Sequence, residues 1–243
     1  DAFTKTFTKH HKAIFSHIVK KVAKRGGKII TTIAHKKGGK TKNLTSDALL
    51  VCIGRVPNTD LLDVEKAGVA TDKRGFIKTN KFLQTTNKNI WTLGDIAGKY
   101  FFKHIANLEA DYVLKNAVYK KKAPVNYTAM PHAIFSNPQV AGVGETEEQL
   151  KTRKAKYVIG ELNFKQTGMG KAFEDDGFIR VYAHKKTRKI LGCHILGSQA
   201  STLIQEVVLA MRHGLTVEDL TDAVHIHPAL SEVVQRAFLH INW

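Results

Sequence analysis

The pattern of hydrophobic and polar positions changes from a helical period to short continuous runs within residues 3–53. From residue 3 to residue 24, apolar side chains recur at helical spacing with lysines between them, which predicts an amphipathic helix that ends at Gly26-Gly27. The β-branched run at residues 29–33 predicts a strand, with a hairpin turn at Gly38-Gly39. The apolar run at residues 48–53 predicts a buried strand. An α/β segment is therefore expected at the start of the chain.

The pattern changes character at a lysine-rich linker, residues 120–124. Before the linker, weak strand patterns precede a helix predicted over residues 105–119. After it, strands come first and helices later, which is typical of an α+β domain. The predicted strands are residues 76–79 and 89–93 before the linker and 132–135, 139–143, 157–164, 178–184 and 190–196 after it; the later helices begin at Thr146, at Ala200 (ending at Arg212), at Thr216 and near Leu230. The pattern therefore separates an α+β domain, from about residue 125 to the end, from the residues before the linker.

Composition describes an ordinary globular protein, since 43% of the 243 residues are hydrophobic and 8% are aromatic. A disordered or collagen-like chain is excluded. The apolar runs are far shorter than the ~18 residues of a membrane span, and no secretory signal pattern opens the sequence. Two cysteines allow at most one disulfide and no cysteine-based metal site, which favours a reducing, cytoplasmic setting. Cys52 and Cys193 both lie in apolar strand patterns, which predicts buried, inert thiols.

Charge is the unusual property of this sequence, with 38 Lys and Arg residues against 21 Asp and Glu and a net charge of +17. Residues 1–57 hold 13 of the basic residues and two of the acidic ones. Such a segment suggests a nucleic acid, an anionic lipid or a phosphate-bearing ligand as partner, although a solvated lysine face is the simpler explanation. The lysine runs lack interleaved aromatic residues. A basic nucleic-acid- or anion-binding protein is therefore only a remote alternative, and no nucleic acid partner is expected.

Two loop positions carry candidate ligand contacts. Gly54 follows the apolar run, where a glycine lets a ligand approach the backbone closely. Asp95 follows Gly94 after an apolar stretch, where its carboxylate can accept a hydrogen bond from a ribose or ribityl hydroxyl; a turn aspartate that caps the next segment is the alternative. The 243 residues contain no Gly-x-Gly-x-x-Gly, no P-loop and no closely spaced cysteine pair.

The third candidate is the segment from His225 to Glu232. Two histidines at positions i and i+2 suggest a metal site, but no further ligand cluster accompanies them, so no metal is expected. Pro228 fixes the backbone after His227, and a helix that begins near Leu230 can present Glu232 towards the imidazole. A carboxylate on one ring nitrogen leaves the other nitrogen free to act as a general acid or base. A structural histidine is the alternative to this catalytic pair.

These motifs, in this order, resemble the carboxyl-terminal part of the flavin-dependent disulfide reductases, the class I pyridine nucleotide-disulfide oxidoreductase family. The match is best to its dihydrolipoamide dehydrogenase group, with mycothione reductase or another low-molecular-weight disulfide reductase of the family as the alternative. The similar segments are Ile53 to Asn58, Thr92 to Asp95, Phe101 to His104, Ile190 to Gly197 and His225 to Glu232. The resemblance implies a partial Rossmann-like NAD(P)-binding segment in residues 1–57, a returning FAD-domain segment in 58–124 and an α+β dimerisation domain in 125–243.

The resemblance also implies an activity, namely electron transfer between NAD(H) and a dithiol or disulfide substrate through FAD. His227 would be the acid–base residue and Glu232 would orient it. FAD would be contacted by Asp95, Phe101, Phe102, Lys103 and His104, and NAD by the loop at Gly54, with NADP not excluded. The resemblance further implies a homodimer that forms through residues 125–243. It also implies a small-molecule or lipoyl-domain disulfide substrate and membership of a multienzyme complex. The family's glycine-rich motifs and redox cysteine pair are absent, so we expect a piece of a longer enzyme that is inactive alone.

Overall fold

The computed structural model describes residues 2–243, and the chain divides into two units between Val56 and Pro57, each built on its own sheet. The mixed α/β class predicted from the pattern is confirmed. The division falls one residue before the predicted boundary at residue 57. The division of the chain into three domains stays a prediction.

The first unit contains a helix and an antiparallel three-stranded sheet of order β1-β2-β3. Its elements are α1 (Ala2–His10), β1 (His17–Arg25), β2 (Lys28–His35) and β3 (Lys42–Ser46). The helix predicted over residues 3–24 is therefore wrong beyond His10. Gly26 and Gly27, with φ of 53° and 77°, form the tight turn that folds β1 back onto β2. Pairing with β2 decides the structure of β1, because its β-branched residues suit a strand as well as the helical period.

The buried strand predicted over residues 48–53 is also wrong. Leu50 is 87% exposed and Ile53 is 89% exposed, and the segment has no strand structure. A strand needs a hydrogen-bonded neighbour, and within residues 2–56 the sheet ends at β3 without pairing to this run. Cys52 lies in the same run and is exposed, which corrects the prediction of two buried thiols; Cys193 is buried as predicted.

The second unit begins with an irregular stretch held by short turns. The strands predicted at residues 76–79 and 89–93 are reduced to single bridges, Thr71 with Ile77 and Gln84 with Trp91. Three 3₁₀ helices occupy Asp60–Leu62, Val64–Ala67 and Gly94–Ala97. The predicted helix is present as α2 (Lys103–Val113) and continues as a π-helical turn, Leu114–Val118.

A five-stranded antiparallel sheet of order β4-β5-β8-β7-β6 organises the rest of this unit. Strands precede the long helices, which confirms the predicted α+β pattern. The elements are β4 (His132–Ile134), β5 (Gln139–Gly144), α3 (Glu147–Thr152), β6 (Tyr157–Asn163), α4 (Gly168–Ala172), β7 (Phe178–His184), β8 (Ile190–Gly197), α5 (Ala200–Arg212), α6 (Val217–Thr221) and α7 (Glu232–Leu239).

Two helices cover one face of this sheet and form its core. Helix α5 packs on β5 and β8, and α7 packs on β6 and β7. Val143, Cys193, Val207 and Val234 are fully buried between these layers. At Gly160 on β6 a Cβ would lie 2.1 Å from the carbonyl oxygen of Ala237, so only glycine lets α7 approach this closely. The packing fixes the position of the first turn of α7, where Glu232 lies.

Candidate active site

An exposed imidazole lies beside a buried carboxylate at the start of α7. His227 Nδ1 is 3.0 Å from Glu232 Oε1; the His227 side chain is 69% exposed and the Glu232 side chain 6% exposed. An ionised carboxylate only accepts hydrogen bonds, so Nδ1 of His227 carries the hydrogen. Nε2 of His227 is then the nitrogen that can exchange a proton with a bound molecule.

Three donors converge on the Glu232 carboxylate. Besides His227, Arg236 donates from Nη2 to Oε1 at 3.0 Å, and the backbone N–H of Ala229 donates to Oε2 at 3.3 Å. Arg236 lies one turn along α7 and also donates from Nη1 to the carbonyl oxygen of Gln166 at 3.2 Å. Sequence reasoning missed Arg236, although its i, i+4 spacing from Glu232 on a predicted helix is the signal that could have found it.

The contacts around Glu232 set its charge. Burial alone would raise the pKa of this carboxyl, but the hydrogen bonds from His227 and Ala229 and the positive charges of His227 and Arg236 together hold the pKa below the ordinary glutamate value. Glu232 is therefore ionised at neutral pH. Its charge keeps the hydrogen of His227 on Nδ1 and stabilises the protonated imidazolium.

The residues predicted to contact a flavin surround the start of α2. Asp95 is exposed in the 3₁₀ turn Gly94–Ala97. The Phe101 ring lies 5.6 Å from that of Phe76, centroid to centroid. Phe102 stacks on His104 with 5.3 Å between ring centroids.

Two more of the residues predicted to contact a flavin lie in the first turn of α2. Lys103 begins the helix and donates a hydrogen bond to the Asn107 side chain. His104 Nε2 lies 2.9 Å from the carbonyl oxygen of Pro131 and donates to it. An exposed carboxylate and half-buried aromatic rings are the kinds of group that could hold the ribityl chain and the ring system of a flavin.

A buried carboxylate holds the turn that carries Asp95. Glu109 is 2% exposed and accepts two hydrogen bonds of 2.6 Å, from the backbone N–H of Gly94 and from the hydroxyl of Tyr127. Burial and the neighbouring Glu109 raise the pKa of Tyr127, so the hydroxyl keeps its hydrogen. Sequence reasoning missed both residues, although Glu109 follows buried Ile105 by four positions on the predicted helix and so lies on its buried face.

Gly54 lies in the first unit. It is exposed, its φ is +126°, and a Cβ there would meet no atom within 4 Å. The backbone conformation therefore favours glycine, whereas none of the described atoms comes close enough to exclude a side chain.

Metal sites and membrane-spanning helices are two further features that a chain of this kind can carry. Over residues 2–243, no group of three or more His, Cys, Asp or Glu side chains is arranged to hold a metal ion. Within the same range, no helix combines the length and apolar character needed to cross a membrane.

Family models match both parts of the chain. Residues 2–110 match the model described as pyridine nucleotide-disulphide oxidoreductase, and residues 130–238 match the dimerisation domain of the pyridine nucleotide-disulphide oxidoreductases. Among curated proteins, the mitochondrial dihydrolipoyl dehydrogenases of Canis lupus familiaris and Mus musculus are 37% and 36% identical over 217 residues. These alignments cover 89% of this chain and 42% of each relative, so the chain spans less than half the length of the proteins it matches.

Solved structures show the same fold. LpdA from Mycobacterium tuberculosis superposes with a TM-score of 0.88 over 98% of this chain and 51% of its own, at 20% identity, which supports the fold alone. The flavoprotein disulfide reductase RclA from Escherichia coli, described as HOCl-induced, superposes with a TM-score of 0.82 at 28% identity over 91% of this chain and 50% of its own. Two matched models of one family, together covering most of the chain, confirm the resemblance: the chain belongs to the pyridine nucleotide-disulphide oxidoreductases.

Proposed function

We propose that this chain provides the acid–base residues and part of the flavin site of an FAD-dependent disulfide oxidoreductase of the dihydrolipoyl dehydrogenase type. The observation that carries the proposal is the exposed His227 imidazole held through Nδ1 by the buried carboxylate of Glu232. Curated relatives named dihydrolipoyl dehydrogenase support the choice of group.

His227 would act on the thiol of the substrate. Its neutral Nε2 takes the proton from one S–H group of a dithiol, and the resulting thiolate is the form that attacks a disulfide sulfur. This attack forms a mixed disulfide and releases the other sulfur of the attacked disulfide as a thiolate. Glu232 stabilises the imidazolium while His227 holds the proton. In the reverse direction the imidazolium returns that proton to the departing thiolate.

The second unit would also bind cofactor. When bound, FAD supplies two-electron transfer between the disulfide chemistry and a nicotinamide cofactor. The Asp95 carboxylate would accept hydrogen bonds from the ribityl hydroxyls, and the segment from Phe101 to His104 would lie beside the flavin. Gly54 would lie close to NAD, and these residues do not distinguish NAD from NADP.

The assembly and location belong to the same proposal. Residues 125–243 would form a homodimer, for which the family description of residues 130–238 as a dimerisation domain is the support. The substrate would be a small-molecule or lipoyl-domain disulfide, the latter within a multienzyme complex. The cell compartment would be a reducing one, either the predicted cytoplasm or the mitochondrion named for the curated relatives. Because the 243 residues lack a Gly-x-Gly-x-x-Gly and a closely spaced cysteine pair, we propose that they have no reductase activity alone.

The role of His227 is tested by a His227→Gln variant of the full-length protein. Glutamine has no titratable nitrogen, so turnover of lipoamide should fall by about 10²–10⁴-fold while the visible flavin absorbance stays the same. His213→Gln, which changes an exposed histidine at the end of α5, is the matched control and should retain wild-type turnover. Near-normal turnover of His227→Gln would refute the assignment.

The substrate class is tested by a panel of lipoamide, glutathione disulfide and mycothiol disulfide. The highest kcat/KM with lipoamide supports the dihydrolipoyl dehydrogenase type. Preference for either of the other two disulfides replaces it with a low-molecular-weight disulfide reductase of the same family. If the protein binds DNA in a salt-dependent manner but neither binds flavin nor dimerises, both disulfide reductase assignments are wrong.

A further inference from the structure

The side chain of His225 anchors the segment that carries His227. All residues from 222 to 228 are exposed except His225, whose side chain is only 7% exposed. Its neighbours Val224 and Ile226 are 98% and 77% exposed. The imidazole of His225 contacts α5, where its Nε2 lies 3.0 Å from Oε2 of Glu206.

Hydrogen-bond chemistry determines how many protons this contact holds. Nδ1 of His225 lies 2.9 Å from the carbonyl oxygen of Ala223, and a carbonyl only accepts, so Nδ1 carries a hydrogen. The bond between Nε2 and Glu206 then needs one more hydrogen. It belongs either to Nε2, which makes an imidazolium–carboxylate pair, or to Glu206, which makes a neutral acid donating to a neutral imidazole. In both cases the pair holds one proton and has no net charge.

The surroundings of Glu206 oppose a free carboxylate. Its Oε1 is buried and has no hydrogen-bond partner among the described residues. Burial raises the pKa of Glu206, although the hydrogen bond and charge of His225 act in the opposite direction. Besides His225, the thiol of Cys193 on β8 also interacts electrostatically with Glu206. Burial and the charge of Glu206 both raise the pKa of this thiol.

A neighbouring amide strengthens the anchor. Gln235 on α7 donates from Nε2 to the carbonyl oxygens of Thr221 and Ala223, at 3.0 and 3.1 Å. Ala223 therefore accepts from both His225 and Gln235. Two helices, α5 through Glu206 and α7 through Gln235, thus hold the chain just before His227.

We propose that the buried imidazole of His225 and the half-buried carboxyl group of Glu206 form a pair that holds one shared proton and positions the segment bearing His227. The inference rests on the proposed role of His227, and both members are positioning residues. When that proton is absent, the imidazole keeps one hydrogen for its two nitrogens. His225 can then donate to Glu206 or to the carbonyl oxygen of Ala223 but not to both, so the anchor loses one of its two hydrogen bonds.

Two substitutions of Glu206 distinguish the effect of its hydrogen bond to His225 from the effect of the shared proton. Glu206→Met is close in size but makes no hydrogen bond, so His225 is released and turnover should fall on the order of tenfold to hundredfold through misplacement of His227. Glu206→Gln can donate from its amide to Nε2 of neutral His225, so it keeps the bond without the extra proton. Glu148→Gln, which makes the same chemical change at an exposed position, is the control.

The readout is ¹⁵N and ¹H NMR of the His225 and His227 rings in the full-length protein across a pH series. The wild type should show Nδ1 of His225 protonated and should lose the His227 Nδ1–H signal of the Glu232 contact at high pH. Glu206→Gln should recover more turnover than Glu206→Met and should keep the His227 signals without that high-pH loss. The proposal is overturned if His225 Nδ1 is unprotonated, or if both variants behave like Glu148→Gln.

The same data distinguish this inference from the proposed function. The ring signals report the position of His227 whether or not the protein reduces disulfides. If His227→Gln retains turnover while Glu206→Met still displaces the His227 ring, the catalytic assignment fails and the pair stands. If His227→Gln abolishes turnover while Glu206→Met leaves the ring in place, the catalytic assignment stands and the pair fails.

Discussion

Replacing Glu232 by glutamine should destabilise the second unit in a way that depends on pH. All three partners of the carboxylate are donors: His227 Nδ1, Arg236 Nη2 and the N–H of Ala229. Glutamine has one accepting oxygen, so whichever way the amide turns, its NH₂ group faces a donor and at least one bond is lost. A bond to a charged group contributes about 1.5–3 kcal/mol, so we expect a loss of about 2–3 kcal/mol.

Thermal or urea unfolding measures this loss, which corresponds to a fall in Tm of about 5–10 °C for a unit of this size. Because the folded-state pKa of Glu232 is lowered, its stabilisation is present above the ordinary value of 4.5 and disappears as the pH falls through the lower folded value. The difference between wild type and Glu232→Gln should therefore be largest at neutral pH and shrink in acid. If Glu232→Gln unfolds like the exposed control Glu148→Gln at every pH, the three-donor account of this carboxylate is wrong.

Two further predictions concern thiol reactivity and the flavin segment. Exposed Cys52 should react at once with a disulfide reagent, whereas buried Cys193, with its raised pKa, should react only after unfolding; a Cys52→Ser variant that keeps the fast phase would contradict this. Tyr127→Phe leaves the buried Glu109 carboxylate without its hydroxyl donor, so unfolding free energy should fall by ~1–3 kcal/mol and FAD should dissociate faster, as flavin fluorescence would show. Tyr119→Phe, at a 60% exposed tyrosine, should change neither quantity.

Local sequence signals predicted the second unit better than the first. Helix α5 (Ala200–Arg212) has the predicted ends because one apolar face and the following His213-Gly214 define it without reference to distant residues. Strand β1 was missed because Ile18, Val19 and Val22 satisfy the helical period, and only pairing with β2 selects the strand. At residues 48–53 a strand was predicted that the structure does not contain. An apolar run forms a strand only where a neighbouring strand can pair with it.

In the candidate site too, the local contact could be predicted from the sequence, whereas the contacts between distant residues could not. His227 and Glu232 lie five residues apart in one turn, so their contact was predictable from proline and helix-start signals alone. Three contacts that support the candidate site join residues 15–19 positions apart: Gly94 with Glu109, Glu109 with Tyr127, and Glu206 with His225. Each involves a glutamate within a helical pattern, and periodicity places such a residue on a face without naming the group it meets there.

The His225-x-His227 spacing shows why two neighbouring histidines need not form a metal site. The two side chains differ tenfold in exposure, 7% for His225 and 69% for His227. Each contacts its own glutamate, Glu206 on α5 and Glu232 on α7. The pKa of Glu206 is raised by burial, whereas that of Glu232 is lowered by its three donors, so the two pKa values shift in opposite directions. One histidine is thereby suited to anchoring the segment and the other to exchanging a proton, which a shared metal ion would prevent by occupying a nitrogen of each.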